Sequence, residues 1–301
     1  MLDMKRALVI LNPAARGAPS IETLRDAINA LEGWEPSLTE TSASGDAIDM
    51  ARDAAQRGIE AVVACGGDGT MNEVANGLAG SETAMATIRG GTANVWAKEI
   101  GVPKKLSKAV SVIATGDVRT MDLGRAGDRY FLLMAGVGFD ASILQRVSSG
   151  LKRRFGAIAY ALPSIGRAFG HRAVDANLVT DGAAASSPLF WLLLGNTRNY
   201  AGVLNLTHMA KADDGLLDFC LLEHGGLPRL AWLALWALFK RHQNRAGVVY
   251  QKIGTVEVRT PGLPVQIDGE YLGETPMTFS VAPGALKVIV PSRLASPLFG
   301  G

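Results

Sequence analysis

Four short apolar runs, each closing on a polar or glycine-rich loop and each leading toward a helical pattern, constrain this chain more than anything else in it. Residues 6–11 end at Asn12-Pro13, and residues 36–41 end at Ser42-Ala43-Ser44-Gly45-Asp46. Residues 61–64 lead into Cys65-Gly66-Gly67-Asp68-Gly69-Thr70, and residues 84–88 into Arg89-Gly90-Gly91-Thr92-Ala93-Asn94. Between the runs, apolar residues recur at helical spacing. Ile21, Leu24, Ile28 and Leu31 follow the first, and Met71, Val74, Ala75 and Leu78 follow the third. A helix over 104–115 closes the series. This β-α-β-α alternation predicts a parallel sheet covered by helices on both faces. Ligands of such sheets bind beyond the carboxyl ends of the strands, so the four loops are expected to share one crevice.

After Thr115 the pattern turns β-rich. Strands are predicted over 120–126, 130–135, 175–180, 189–195, 217–222, 255–260, 265–267, 278–281 and 285–290, punctuated by Gly127-Asp128, Asp181-Gly182 and Asn196-Thr197 turn signals. Two helical insertions, near 141–169 and 228–242, interrupt them. The fold class expected is therefore an α/β domain with a parallel sheet over 1–120, followed by a mainly β domain over 121–291. Residues 292–301 either pack back on the first domain or trail as a loose tail.

Composition narrows the function classes. A net charge of +2 over 301 residues gives no general attraction to nucleic acid. Cys65 and Cys220 both end apolar runs and read as small core residues, not as a disulfide framework. The N-terminus enters a strand without the apolar region of a signal peptide. The longest apolar run, 230–239, is shorter than the roughly 20 residues a bilayer requires. A soluble, cytoplasmic protein is expected. His171, His208, His224 and His242 lack metal-ligand spacing and are read as non-catalytic.

The chemistry concentrates at Gly66-Gly67-Asp68-Gly69-Thr70. Three glycines around one carboxylate, at a strand-to-helix turn, let backbone N–H groups approach an anion such as phosphate. A tight turn whose Asp or Thr caps the helix is the alternative. No G-x-x-x-x-G-K-[ST] loop occurs. Gly136-Val137-Gly138-Phe139-Asp140-Ala141 matches the dinucleotide pattern G-x-G-x-x-A, but no acidic residue lies about 20 positions on to hold a ribose.

Taken in order, Asn12-Pro13, Gly66-Gly67-Asp68-Gly69-Thr70 with Asn72-Glu73, Gly91-Thr92-Ala93-Asn94, Gly136-Val137-Gly138-Phe139-Asp140 and Asp268-Gly269-Glu270 closely resemble the soluble bacterial lipid kinases of the diacylglycerol kinase catalytic-domain family. These are related to sphingosine and ceramide kinases, and the G-G-D-G-T core is shared with NAD kinases. The resemblance implies that the α/β domain over 1–120 is nucleotide-binding and that the β-rich domain over 121–291 is a sandwich-like lipid-substrate domain. It implies too that ATP- and Mg²⁺-dependent phosphorylation of a lipid hydroxyl takes place in a cleft between them. Carried over residue by residue, it implies that ATP meets Asn12, Pro13, Thr41, Gly66, Gly67, Asp68, Gly69, Thr70, Asn72, Gly91, Thr92 and Asn94. Asp68 is then expected beside the Mg²⁺–phosphate assembly, and Glu270 is expected to be the general base. A second Mg²⁺ is implied at the turn Lys211-Ala212-Asp213-Asp214-Gly215, through Asp214 and main-chain oxygens of Lys211 and Leu216. An Asp-Gly turn without metal is the other reading of that segment. The chain departs from the family pattern in two places. Val95 stands where many members carry Asp, and Arg89-Gly90 replaces a Leu-Pro approach to the loop.

A lipid substrate makes a peripheral membrane contact an expected partner. Leu151-Lys152-Arg153-Arg154-Phe155 reads either as a site for anionic headgroups or as a solvated charge run. The run 230–239, with Trp232 and Trp236 between Arg229 and Lys240-Arg241, reads either as a bilayer-docking helix or as a core helix. Exposed strand edges could pair two copies into a homodimer. Two alternatives to a lipid kinase stand beside it: a kinase of a soluble polyol or nucleotide, and an inactive nucleotide- or lipid-binding regulator, the latter motivated by Val95.

Overall fold

The computed structural model describes residues 4–145, 170–200, 202, 204–293 and 297–300. It divides into two units, residues 1–123 with 283–301, and residues 124–282.

In the first unit, strands β1 (Lys5–Leu11), β2 (Trp34–Glu40), β3 (Ala61–Gly66) and β4 (Ala84–Arg89) alternate with helices α1 (Ile21–Ile28), α2 (Asp46–Gln56) and α3 (Asp68–Leu78). Two further helices, α4 (Val95–Glu99) and α5 (Leu106–Thr115), follow β4. All pairings among these four strands are parallel, in the order β2-β1-β3-β4. The central strand β3 is buried along its whole length, as a continuous apolar run between two helical layers should be. The helices turn apolar stripes inward, Leu24 and Ile28 from α1, and Ala47, Ala51 and Ala54 from α2. Ser20 caps α1 by accepting a hydrogen bond from the Thr23 N–H at 3.2 Å.

The chain leaves α5 through β5 (Asp117–Ala126), which turns back antiparallel onto β6 (Arg129–Phe131). The second unit then holds a six-stranded sheet in the order β12-β11-β10-β7-β14-β15, antiparallel throughout. Its members are β7 (Met134–Gly138), β10 (Trp191–Gly195), β11 (Leu217–Leu222), β12 (Val248–Ile253), β14 (Pro264–Ile267) and β15 (Glu270–Glu274). The hairpin of β8 (Val174–Thr180) and β9 (Ala183–Leu189), with β13 (Thr255–Val258), supplies strands of the second layer. Phe131, Leu192, Phe219, Val256, Val265 and Phe279 meet in the core between them. Helix α6 (Phe139–Leu144) follows β7, and helix α7 (Leu227–Leu238) follows β11. Among the described residues no helix is long and apolar enough to cross a membrane.

The sequence pattern divides the last strand into two pieces, 278–281 and 285–290. The structure has one, β16 (Met277–Val290), and its final part pairs parallel with β4 through Lys287 and Val288. Gly284 adopts φ +60°, and its N–H donates to Asp122 Oδ1 at 2.8 Å, which carries the strand past Pro283. Leu298 is fully buried, and residues 283–301 group with the first unit.

Candidate active site

The strand order of the first unit places β1 between β2 and β3, so the chain leaves β1 toward one side and returns on the other. That makes the carboxyl ends of β1 and β3 a topological switch point, where ligands of open α/β sheets bind. The loops that end there are bonded to one another. The Asn12 N–H donates to the Cys65 carbonyl at 2.9 Å, and Asn12 Nδ2 donates to Thr70 Oγ1 at 3.0 Å. The Thr41 N–H donates to the Leu11 carbonyl at 2.9 Å. Ser44 Oγ donates to Glu73 Oε1 at 3.3 Å, which ties the loop after β2 to α3. Asp46 accepts from the N–H groups of Ser42 and Ala43, and these two bonds hold its carboxyl below the usual range.

The glycines make this convergence possible. The Gly90 N–H donates to the Gly66 carbonyl and the Gly17 N–H to the Gly90 carbonyl, both at 2.8 Å. A Cβ on Gly91 would meet Gly67 Cα at 2.5 Å, and one on Gly66 would meet Thr70 Oγ1 at 2.4 Å. Backbone therefore lies directly against backbone. This close packing leaves the first N–H groups of α3 at the loop surface, and the N-terminus of a helix suits a phosphate chain. Asn94, in the left-handed region at φ 48°, closes the fourth loop by accepting from the Gly91 N–H and donating to the Gly91 carbonyl. Thr92 and Pro13 are exposed, whereas Asn72 is buried and accepts from Asn76 Nδ2.

Asp68 does not cap its own helix. Gly67 is the N-cap of α3, and Asp68 Oδ1 accepts instead from the Trp96 N–H at 3.1 Å, in the first turn of α4. The carboxylate thus ties the β3 loop to the β4 loop and keeps its second oxygen for another partner. Val95 is buried at 6% exposure. Arg89 donates to the Ala97 carbonyl at 3.2 Å, and desolvation lowers its pKa.

Glu270 opens β15 in the second unit and is exposed. Asp268 (φ 47°) and Gly269 (φ 82°) form the two-residue turn before it, both in the left-handed region as a type I′ hairpin demands. The turn is anchored twice. Asp268 accepts from the N–H groups of Leu132, Leu133 and Met134 at 2.7, 2.9 and 2.9 Å. Gln266 Oε1 accepts from the Gly269 N–H, while Gln266 Nε2 donates to Asp140, both at 2.8 Å. Asp140 is buried, and desolvation pushes its carboxyl up to about 6 against the opposing hydrogen bonds from Gln266 and Ala141. Asp268, Gln266 and Asp140 are positioning residues to which sequence pattern alone assigns no role. Asp140 and Asp268 stand inside recognisable motifs, but the burial of one and the three bonds of the other become visible only in the fold.

Asp214 lies in the second unit on the turn closed by Gly215 (φ 72°). Its Oδ1 accepts from the Leu216 N–H at 3.2 Å, and Oδ2 pairs with the Lys252 ammonium. Nearby Asp218 is fully buried. Tyr250 donates to its Oδ1 at 2.5 Å, while its Oδ2 has no hydrogen bond and stands 3.8 Å from Lys252. Two carboxylates thus face one ammonium, and both oxygens of Asp214 are engaged, Oδ1 by the Leu216 N–H and Oδ2 by Lys252. Two of the histidines are neighbours. His208 and His242 bring their rings to 5.2 Å, beside Tyr250, and burial pushes the His208 imidazole down to about 4. The basic cluster 151–155 and the apolar segment after it lie outside the described residues.

Comparison with known proteins decides the family. Residues 6–126 match the model of the diacylglycerol kinase catalytic domain, and residues 134–290 match the YegS C-terminal NAD kinase beta sandwich-like domain. A Bacillus subtilis (strain 168) protein named diacylglycerol kinase is 30% identical over 301 residues, covering 98% of this chain and 99% of its own. The chain belongs to the diacylglycerol kinase catalytic-domain family. A Staphylococcus aureus (strain MRSA252) diacylglycerol kinase is likewise 30% identical over 297 residues, spanning 97% of this chain and 94% of its own. The fold agrees with a solved structure of a putative diacylglycerol kinase from Bacillus anthracis str. Sterne at a TM-score of 0.81, with 22% identity and 98% of both chains covered. As a member, this chain is a kinase that phosphorylates an alcohol group. The expected fold class, an α/β domain with a parallel sheet and then a β-sandwich-like domain, is the observed one.

Proposed function

We propose that this family member transfers the γ-phosphoryl group of ATP to a hydroxyl of a diacylglycerol or related lipid. One observation carries the reading above all. The four loops after β1, β2, β3 and β4 are bonded to one another, with backbone against backbone at Gly66, Gly90 and Gly91, beside the helix N-terminus of α3 that suits a phosphate chain. The names of the relatives support the choice of acceptor.

In this reading the N–H groups of the Gly66–Gly69 segment, with Thr41, Asn12 and Thr92, bind and orient the phosphates. Mg²⁺ bound with the nucleotide supplies charge neutralisation at the phosphate oxygens. Asp68, whose second oxygen is spare, is the residue of this chain that would hold it. The acceptor oxygen forms a bond to the γ-phosphorus as the bond to the bridging oxygen breaks, and ADP leaves with that electron pair. Glu270 takes the hydroxyl proton on its carboxylate. Asp268 and Gln266 act through Glu270 by fixing the turn that presents it. A second Mg²⁺ on Asp214, Lys211 and Leu216 is a structural ion in this reading and enters no step.

The test is phosphoryl transfer from γ-labelled ATP with Mg²⁺ to a panel of diacylglycerol, sphingoid base, ceramide and phosphatidylglycerol. Label in at least one lipid is expected. Label in NAD or a soluble polyol, with none in any lipid, overturns the acceptor class.

A further inference from the structure

Helix α7 is apolar around nearly its whole circumference, yet only one face of it is buried. Leu233 and Ala237 face inward. On the outer face Leu227 is 38% exposed, Leu235 52% and Leu238 63%, with Phe239 just beyond the helix at 65%. Leu235 stands two steps of four residues from Leu227, and Leu238 and Phe239 lie three and four beyond it, which aligns them along one stripe. A helix that is apolar all round is normally enclosed by protein or by lipid, and this stripe is left uncovered by the described residues. Leu238 and Phe239 are the two most exposed large hydrophobic side chains among the described residues, and they are adjacent.

The charges around the stripe select its partner. No Asp or Glu occurs between Glu223 and Glu257, whereas Arg229, Lys240, Arg241, Arg245 and Lys252 do. Lys240 and Arg241 are exposed at the C-terminal end of the stripe. The Arg229 guanidinium lies 4.3 Å from the ring centre of Trp232, and that of Arg245 lies 3.5 Å from that of Trp236. Each half-buried indole therefore carries a cation on its face, as amphipathic side chains do where an apolar layer meets a charged one. A second copy of this chain is a poor occupant, because a two-fold interface would set one basic rim against another. An anionic bilayer satisfies both features, with acyl chains for the leucines and Phe239 and phosphates for the rim.

We propose that α7 and Phe239 dock this chain on anionic phospholipid surfaces, the stripe entering the acyl boundary and the basic rim lying on the headgroups. The proposal rests on the lipid-kinase reading for its purpose, but not for its evidence. The headgroup recognised is a phosphodiester anion without further distinction.

The purified full chain is floated with vesicles of phosphatidylcholine, with and without phosphatidylglycerol. The wild type is compared with the double variants Leu235→Glu/Phe239→Glu and Lys240→Glu/Arg241→Glu. Each basic residue at such a surface contributes about fivefold in binding, so the Lys240/Arg241 variant should bind at least about tenfold more weakly, as should the apolar one. Wild-type flotation is expected only with phosphatidylglycerol and should fall with salt. All three proteins should phosphorylate a short-chain monomeric diacylglycerol equally. Flotation of Leu235→Glu/Phe239→Glu at wild-type levels overturns the proposal. So does absence of wild-type flotation, or conversion of a dimer to a monomer by that variant with no effect on vesicles. Wild-type flotation without phosphorylation of any lipid leaves the docking surface standing and sinks the lipid-kinase reading instead.

Discussion

Replacing Gly91 with alanine tests the glycine cradle where it is tightest. The added Cβ would lie 2.5 Å from Gly67 Cα, about 0.9 Å inside ordinary contact, and 3.2 Å from Asn94 Oδ1. Neither neighbour is the end of a flexible side chain. Gly67 Cα is backbone between β3 and α3, and Asn94 is held by two hydrogen bonds to Gly91 itself. The β3 and β4 loops must therefore separate, at the roughly 1–3 kcal/mol that overpacking costs. A displacement of about 1 Å in a positioned phosphate can cost on the order of 10²-fold in rate. Gly67→Ala is the control, because its Cβ would meet Gly91 Cα at 3.5 Å, an ordinary contact. Thermal unfolding of both variants, with nucleotide titration, separates packing from binding. Gly91→Ala should lose stability and nucleotide affinity together, and Gly67→Ala should keep its stability. Equal stability of Gly91→Ala and wild type, with unchanged nucleotide affinity, would refute the claim that the two loops are in backbone contact.

Three further outcomes are expected. Asp268→Ala should cost about 2–4 kcal/mol by leaving three backbone N–H groups without their carboxylate. It should also slow turnover without weakening nucleotide binding, which steady-state kinetics with a nucleotide titration would detect. The buried carboxyls of Asp140 and Asp218 are both pushed up to about 6, so each is protonated more readily in the folded state than in the unfolded chain. Stability from them is full below about pH 4 and is lost as pH rises through about 6, amounting to roughly 3 kcal/mol for Asp140. Unfolding curves over that range should show Asp140→Asn with a shallower decline than wild type. Asp214→Asn should remove any saturable rise in unfolding temperature that Mg²⁺ gives in the absence of nucleotide; an unchanged rise would place the ion elsewhere.

The first unit was legible because each of its central strands is a buried apolar run and its helices carry one-sided stripes. Both periods are set by burial, which the residues record directly. The second unit was legible mainly where its strands are buried or alternate. Strand β9, with small exposed residues from Ala183 to Ser186 and Pro188 on its edge, has no alternation to read. Strand β16 reads as two pieces because Ala282-Pro283-Gly284 carries the residues of a chain break, yet Gly284 turns there and Asp122 holds it. At the site, the glycine loops announced themselves, since close backbone approach leaves glycine as the only option. Long-range partners did not. Nothing in the sequence around Asp68 points to the Trp96 N–H, and nothing around Asp268 points to residues 132–134, more than a hundred positions away.

The proposed mechanism stands or falls on Glu270 as the proton acceptor. Single-turnover phosphoryl transfer by Glu270→Gln at saturating ATP tests it most directly, since Glu270 is exposed and its replacement leaves the anchors of the turn in place. A positioned general base contributes about 10²–10⁴-fold, so a fall of that size is predicted, with nucleotide affinity and unfolding temperature unchanged. Transfer at the wild-type rate would contradict it.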